Sequence, residues 1–238
     1  SYAYPQGGSI LQEVNLQVGT GEIHVLVGRS GCGKTTLLKL AAGLLRPQLG
    51  EVRLQGRQVQ SPSTKMGFVF QSPTLLNWLS VGDNILLPLQ LHRAVTPNDR
   101  HQAEQLLIQL GLPGMSQALP QQLSGGQQSR VAIARALIDR PSVLFMDEPF
   151  AALDAITREE LQQDFLSLCK SQGISVLLVT HDLREAVFLA DRVSIMQSGT
   201  LHAPQNIVLP RPRDSSLRFA PDFNALCAQM RRALDGDH

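Results

Sequence analysis

Apolar and polar residues alternate early in the chain: Val14, Leu16 and Val18, then, past the turn Gly19-Thr20-Gly21, Ile23, Val25 and Val27. Period-two alternation bounded by glycine predicts two strands. They lead into a glycine-rich loop, after which TTLLKLAAGLL predicts a helix ending near Gly43, and EVRLQG and MGFVFQ predict further strands. From about residue 72 to 140 the period turns helical, and Thr96-Pro97 supplies a cap and a first-turn proline ahead of the amphipathic AEQLLIQL. This block reads as a helical insertion. Ser124 and Gln127 form a capping-box pattern before VAIARAL, yet Gly125 and Gly126 occupy the first turn, where glycine costs about 1 kcal/mol relative to alanine.

From Ser142 strands and helices alternate again: SVLFMD, a helix from Ala155 to about Lys170, ISVLLVT, LREAVFLA and RVSIMQ. The near-continuous apolar runs VLFM and VLLV suit parallel strands covered on both faces, so the fold class is α/β. The last 30 or so residues are weakly patterned, and no internal repeat or low-complexity segment occurs.

Composition narrows the partners. A hydrophobic fraction of 43% with 17% charged residues over 238 positions is that of a soluble globular chain able to bury a substantial core. A net charge of +1 gives no electrostatic footprint for nucleic acid. Cys32, Cys169 and Cys227 form no CxxC and no even framework, which fits unpaired thiols in a reducing compartment. No run approaches the roughly 20 apolar residues of a membrane span, and no basic N-terminal segment precedes an apolar stretch. The expectation is a soluble chain that can sit on a membrane protein.

Candidate chemistry gathers at strand ends. Gly28-Arg29-Ser30-Gly31-Cys32-Gly33-Lys34-Thr35 satisfies GxxxxGK[ST], a match that background composition produces in roughly one chain in a hundred of this length. It follows a predicted strand and opens a predicted helix, as phosphate binding by loop amides and a helix N-terminus requires. Lys34 would then contact the β- and γ-phosphates and Thr35 would ligate Mg²⁺. Asp147 and Glu148 close VLFMDE; Asp147 is placed to hold Mg²⁺ through water and Glu148 to polarise an attacking water, although such a pair can also cap a turn. His181 follows SVLLVT, where ligands of open α/β sheets collect, but a single histidine is more often structural. His24, His92, His101, His202 and His238 show no metal-ligand spacing.

GRSGCGKTT, the glutamine of VFQ, LSGGQ, LFMDEP, ALD and the histidine of VTHD stand in one order, and over about residues 1–210 the sequence resembles the nucleotide-binding subunit of an ABC transporter. The resemblance implies a P-loop NTPase core with an antiparallel β subdomain and an inserted α-helical subdomain at about 72–140. It also implies one ATP-binding domain over 1–210, followed at 211–238 by a short tail without a separate regulatory domain. ATP and Mg²⁺ would be the cofactors. Gly28, Ser30, Gly31, Cys32, Gly33, Lys34, Thr35 and Thr36 form the phosphate loop in such proteins, and Tyr4 is similar to the aromatic that stacks on adenine. Gln71 matches the glutamine that reaches Mg²⁺ and the attacking water and senses the membrane partner. Asp154 matches the residue linking two ATP sites, and His181 the switch histidine at the γ-phosphate. Ser124, Gly125, Gly126 and Gln127 would face the γ-phosphate held by a second copy, so the resemblance implies a homodimer. Arg29, where the family often has proline, and Ser129, where glutamine is common, are departures at positions that supply no phosphate ligand.

A free-standing cassette without coiled-coil insertion or membrane segment most resembles a bacterial importer ATPase. Such a subunit works at the cytoplasmic face of the inner membrane with permease subunits and, indirectly, a substrate-binding protein. Leu75, Leu76, Trp78 and Leu79 form a candidate groove for a permease helix, or else pack the helical subdomain. LLxWLxVxxN, the following LPL, PFAALDAxTR and LPRPRD resemble the nitrate, sulfonate and taurine branch. Other solutes such as bicarbonate or a vitamin precursor, a non-transport ABC ATPase that remodels a complex, and an ATP-switched regulator are the alternatives.

Overall fold

A computed structural model of the chain describes residues 1–5 and 9–236. It forms two compact units, Ser1–Ser63 with the segment from Ser175 onward, and Thr64–Ile174.

The first unit opens with an antiparallel pair, β1 (Tyr2–Ala3) and β2 (Ser9–Leu11), followed by β3 (Ile23–Val27), α1 (Lys34–Ala41) and a second antiparallel pair, β4 (Arg53–Leu54) and β5 (Arg57–Gln58). The alternation at Val14, Leu16 and Val18 does not make a strand. Residues 12–22 are irregular, with Glu13 in the left-handed region at φ 48. Val14, Leu16 and Val18 are half-buried while Asn15 and Gln17 are exposed, so the pattern records burial correctly. A strand also needs a ladder partner, which an alternating pattern cannot supply.

The second unit contains β6 (Met66–Val69), α2 (Val81–Gln90), α3 (Pro97–Gln109), α4 (Gly125–Leu137), β7 (Val143–Asp147) and α5 (Ala155–Gln172). β6 and β7 run parallel, Met66 opposite Val143 through Val69 opposite Met146. Ile85, Leu86, Leu107 and Ile133 are fully buried, so α2, α3 and α4 share an apolar interior. The predicted caps form. Thr96 accepts from the Asp99 amide while the Asp99 carboxylate takes the Thr96 amide at 2.8 Å, and Ser124 and Gln127 do the same.

The chain then returns to the first unit as β8 (Ser175–Thr180), α6 (Leu183–Leu189), β9 (Arg192–Gln197), β10 (Thr200–Leu201), β11 (Gln205–Asn206) and α7 (Pro221–Asp235). β9, β3 and β8 are parallel neighbours in that order, Val25 standing between Val193 and Leu178. Every residue of β3 and β8 is buried; the apolar run VLLV in β8 requires this, whereas β3, which alternates in sequence, buries His24 as well.

The weakly patterned tail is a correction. After the short 3-10 turn Ser215–Phe219 it forms a 15-residue helix with Phe223, Met230 and Leu234 buried. Their spacing is helical, but so few apolar positions among Asp, Asn, Gln and Arg leave the periodicity faint. The RPRD segment is pinned separately: the buried Arg213 guanidinium donates to the carbonyls of Phe188 and Ala190, both at 2.8 Å, at the C-terminus of α6. Carbonyls left without partners at a helix end favour such a cation, while burial pushes the Arg213 pKa down to about 10.

Candidate functional site

In the first unit, residues 28–33 form the loop from β3 into α1, whose first turn carries Lys34, Thr35 and Thr36. Gly31 and Gly33 take φ of 82 and 105, a region that residues with a side chain rarely enter. Lys34 is 5% exposed, and its ammonium donates to the carbonyls of Gly28 at 2.8 Å and Arg29 at 3.0 Å, with the Cys32 sulfur 3.9 Å away. Among the described residues no carboxylate pairs with it. A buried cation held by neutral loop groups fits an incoming polyphosphate. Ser30 is exposed, Thr35 half-buried and Thr36 buried. Tyr4 stands beside this loop: its hydroxyl lies 3.4 Å from Thr36 Oγ1, and its ring packs edge-on against Tyr2. His181 is exposed between the end of β8 and Asp182, whose carboxylate accepts the Arg184 amide at 2.8 Å and caps α6.

The second unit carries the other residues singled out in the sequence. Asp147 is the buried last residue of β7, and Glu148 follows with φ 46. A left-handed glutamate costs on the order of 1–3 kcal/mol, strain that marks functional sites and that sequence cannot show. Asp154 caps α5 by accepting the Thr157 amide at 3.0 Å, and bonds from Thr157 hold its carboxyl below the usual range. Gln71 is exposed. Ser124, Gly125 and Gln127 lie at the open start of α4.

The glycine pair divides. A Cβ on Gly125 would meet nothing within 4 Å, whereas one on Gly126 would sit 2.6 Å from Thr157 Cγ2. A side chain at Gly125 would point into open space, and one at Gly126 would strike α5. Gly126 therefore has a packing reason to be glycine that the sequence does not display.

Sequence reasoning missed the residues that hold these segments in shape. Asn84, fully buried, donates to the carbonyls of Leu76, Leu79 and Ser80 at 3.0–3.2 Å and accepts the Leu76 amide at 2.8 Å. It is the asparagine of LLxWLxVxxN, which carries a structural reason that the motif alone does not display. Around it Leu75, Leu76 and Leu79 are half-buried while Trp78 remains 76% exposed. Arg135 donates to the carbonyls of Pro73 and Thr74 at 2.8 and 2.9 Å, bracing the segment after Gln71.

Among the described residues no group of three His, Cys, Asp or Glu side chains gathers to hold a metal, and His238 lies outside them. A divalent cation carried by a nucleotide needs fewer protein ligands, because phosphate oxygens and water fill the remaining positions. The hydroxyl of Thr35 and the carboxylate of Asp147 are hard oxygen donors suited to Mg²⁺.

The family model described as ABC transporter matches residues 11–151. The chain belongs to the ABC transporter family. Among curated relatives, the cassette is 48% identical over 208 residues to the aliphatic sulfonates import ATP-binding protein SsuB 1 of Xanthomonas axonopodis pv. citri, covering 86% of this chain and 82% of that one. It is 42% identical over 218 residues to the taurine import ATP-binding protein TauB of Escherichia coli K12, covering 92% and 84%. With the nitrate import ATP-binding protein NrtD of Synechococcus elongatus it shares 44% identity over 220 residues, covering 90% and 80%. Its fold is similar to the dimeric ATP-binding cassette MJ0796 in a post-hydrolysis state bound to ADP and Pi, with TM-score 0.77 and 32% identity, covering 88% and 96%. Membership makes the cassette an ATP-binding protein and an ATPase of the α/β P-loop class. No helix among the described residues is long and apolar enough to cross a membrane.

Proposed function

We propose that this ATPase energises a bacterial importer for sulfonate- or nitrate-type solutes. The observation that carries the reading is the likeness to the sulfonate, taurine and nitrate import subunits, which extends over 86–92% of the chain. Residues 1–210 act as one ATP-binding domain with the helical insertion at about 72–140.

Within it, the loop amides and Lys34 take the phosphates, and Tyr4 takes the adenine face. Thr35, Asp147 and Gln71 hold Mg²⁺, which neutralises phosphate charge when bound. Glu148 polarises the attacking water, and His181 contacts the γ-phosphate. The start of α4 at Ser124, Gly125, Gly126 and Gln127 serves the nucleotide of a second copy, with Asp154 linking the two sites. Dimeric cassettes among the similar structures support this pairing. Trp78, held outward on a loop ordered by Asn84, anchors a permease subunit at the cytoplasmic face of the membrane, and a substrate-binding protein delivers the solute. An exposed tryptophan on an ordered loop suits an interface anchor.

The test is uptake of taurine, alkanesulfonates and nitrate by a strain lacking the gene, complemented with the parent or with Glu148→Gln. The parent restores uptake of at least one of them and the variant does not, while purified Glu148→Gln still binds ATP. Equal uptake with and without the parent gene refutes the importer reading.

A further inference from the structure

Helix α7 holds two elements of the first unit that lead to the nucleotide. At its start, the Phe223 ring lies 5.1 Å under the Arg184 guanidinium, and Asn224 accepts from Arg184 at 3.1 Å; Arg184 stands on α6, three residues after His181. At its end, the Leu234 carbonyl accepts from Gln197, the last residue of β9, at 2.6 Å, and Asp235 pairs with Arg29 of the phosphate loop at 3.3 Å. The twelve steps from Phe223 to Asp235, at about 1.5 Å each, place these attachments at most about 18 Å apart.

Arg29 matters to the loop through its backbone. Its carbonyl is one of the two that hold the Lys34 ammonium, so displacement of the Arg29 peptide moves the cation meant for phosphate. The side chain is 77% exposed and has no other hydrogen-bond partner among the described residues. Asp235, by contrast, is already placed. The buried Phe223, Met230 and Leu234 fix the helix, and the second carboxylate oxygen takes Arg231 Nε at 2.9 Å. Pairing with a preorganised acceptor costs chiefly the freedom of one arginine.

We propose that Arg29–Asp235 is a clasp by which the C-terminal helix positions the phosphate loop for ATP, which makes both residues positioning residues of the ATPase. The inference rests on the assignment of residues 28–36 as the ATP loop. Because the pair is exposed, its effect is modest and sensitive to salt.

Purified parent, Asp235→Asn, Arg29→Asp, Asp235→Arg and the double swap Arg29→Asp/Asp235→Arg are titrated with a fluorescent ATP analogue and assayed for steady-state hydrolysis. Asp235→Asn raises Kd and KM for nucleotide about two- to five-fold with kcat within two-fold of the parent. The parent's Kd rises more than the variant's between about 0.05 and 0.5 M NaCl. The double swap binds more tightly than either single reversal, the outcome that a merely structural role for α7 would not give. A parent that binds while Asp235→Asn binds equally, or a double swap no better than the singles, overturns the clasp alone. A parent that fails to bind nucleotide overturns the loop assignment as well.

Discussion

Adding one methyl group at Gly125 or at Gly126 should have opposite consequences. Gly125 opens α4 with no atom within 4 Å of a Cβ, and its φ is not in the left-handed region. Alanine there gains up to about 1 kcal/mol of helix propensity and encounters nothing. For a chain of this length that raises Tm by about 2–4 °C. The same methyl covers the amides proposed to meet the partner's nucleotide. Losing a hydrogen bond to a charged acceptor costs about 1.5–3 kcal/mol, or roughly 10- to 150-fold in ATPase activity. At Gly126 a Cβ would stand 2.6 Å from Thr157 Cγ2, so overpacking costs about 1–3 kcal/mol and outweighs the propensity gain. Thr157→Ser removes the obstructing methyl and keeps the backbone amide that Asp154 accepts. Gly126→Ala/Thr157→Ser should therefore recover most of the stability that Gly126→Ala loses. Urea unfolding and steady-state ATPase on the four proteins decide it. A Gly125→Ala protein that hydrolyses ATP at the parent rate refutes the role of the open amides, and a Gly126→Ala protein as stable as the parent refutes the packing argument.

Two further outcomes follow from buried and exposed polar positions. Trp78→Asp leaves stability within about 0.5 kcal/mol, as expected for an exposed position, but reduces co-purification with the permease far more than basal ATPase; equal loss of both would show that Trp78 packs its own unit. His24 is fully buried, with Nε2 3.0 Å from Ser194 Oγ, and burial lowers its pKa despite the carboxylate of Glu22, which is itself held by Arg192. The unfolded chain, titrating near 6.5, then binds more protons than the folded one once pH falls below that value. Stability is full above about pH 7 and declines as pH drops through 6.5 and below, by at most about 1.4 kcal/mol per pH unit from this group. His24→Gln should lose less stability than the parent between pH 7.5 and 5.5, as measured by urea midpoints; an identical loss assigns the acid sensitivity to other groups.

What could be read in advance was local. The fully buried runs of β7 and β8, the existence of β3, the Thr96 and Ser124 caps, and the order of the phosphate loop, LSGGQ and LFMDE motifs all depend on neighbours a few residues apart. What failed required a distant partner. Val14, Leu16 and Val18 alternate without a ladder, and α7 is held by α6, β9 and Arg29, none of them near it in sequence. The strained φ of Glu148 and the convergence of Asn84 on three carbonyls are likewise invisible in residue types.

The sequence by itself determined that a glycine-rich loop opens a helix after a buried strand, and hence the phosphate chemistry, because capping, period and backbone freedom are properties of short segments. Only the tertiary structure decided which of two adjacent glycines faces solvent. That depends on where the Thr157 methyl comes to lie, 31 residues along the chain from Gly126 and on another helix.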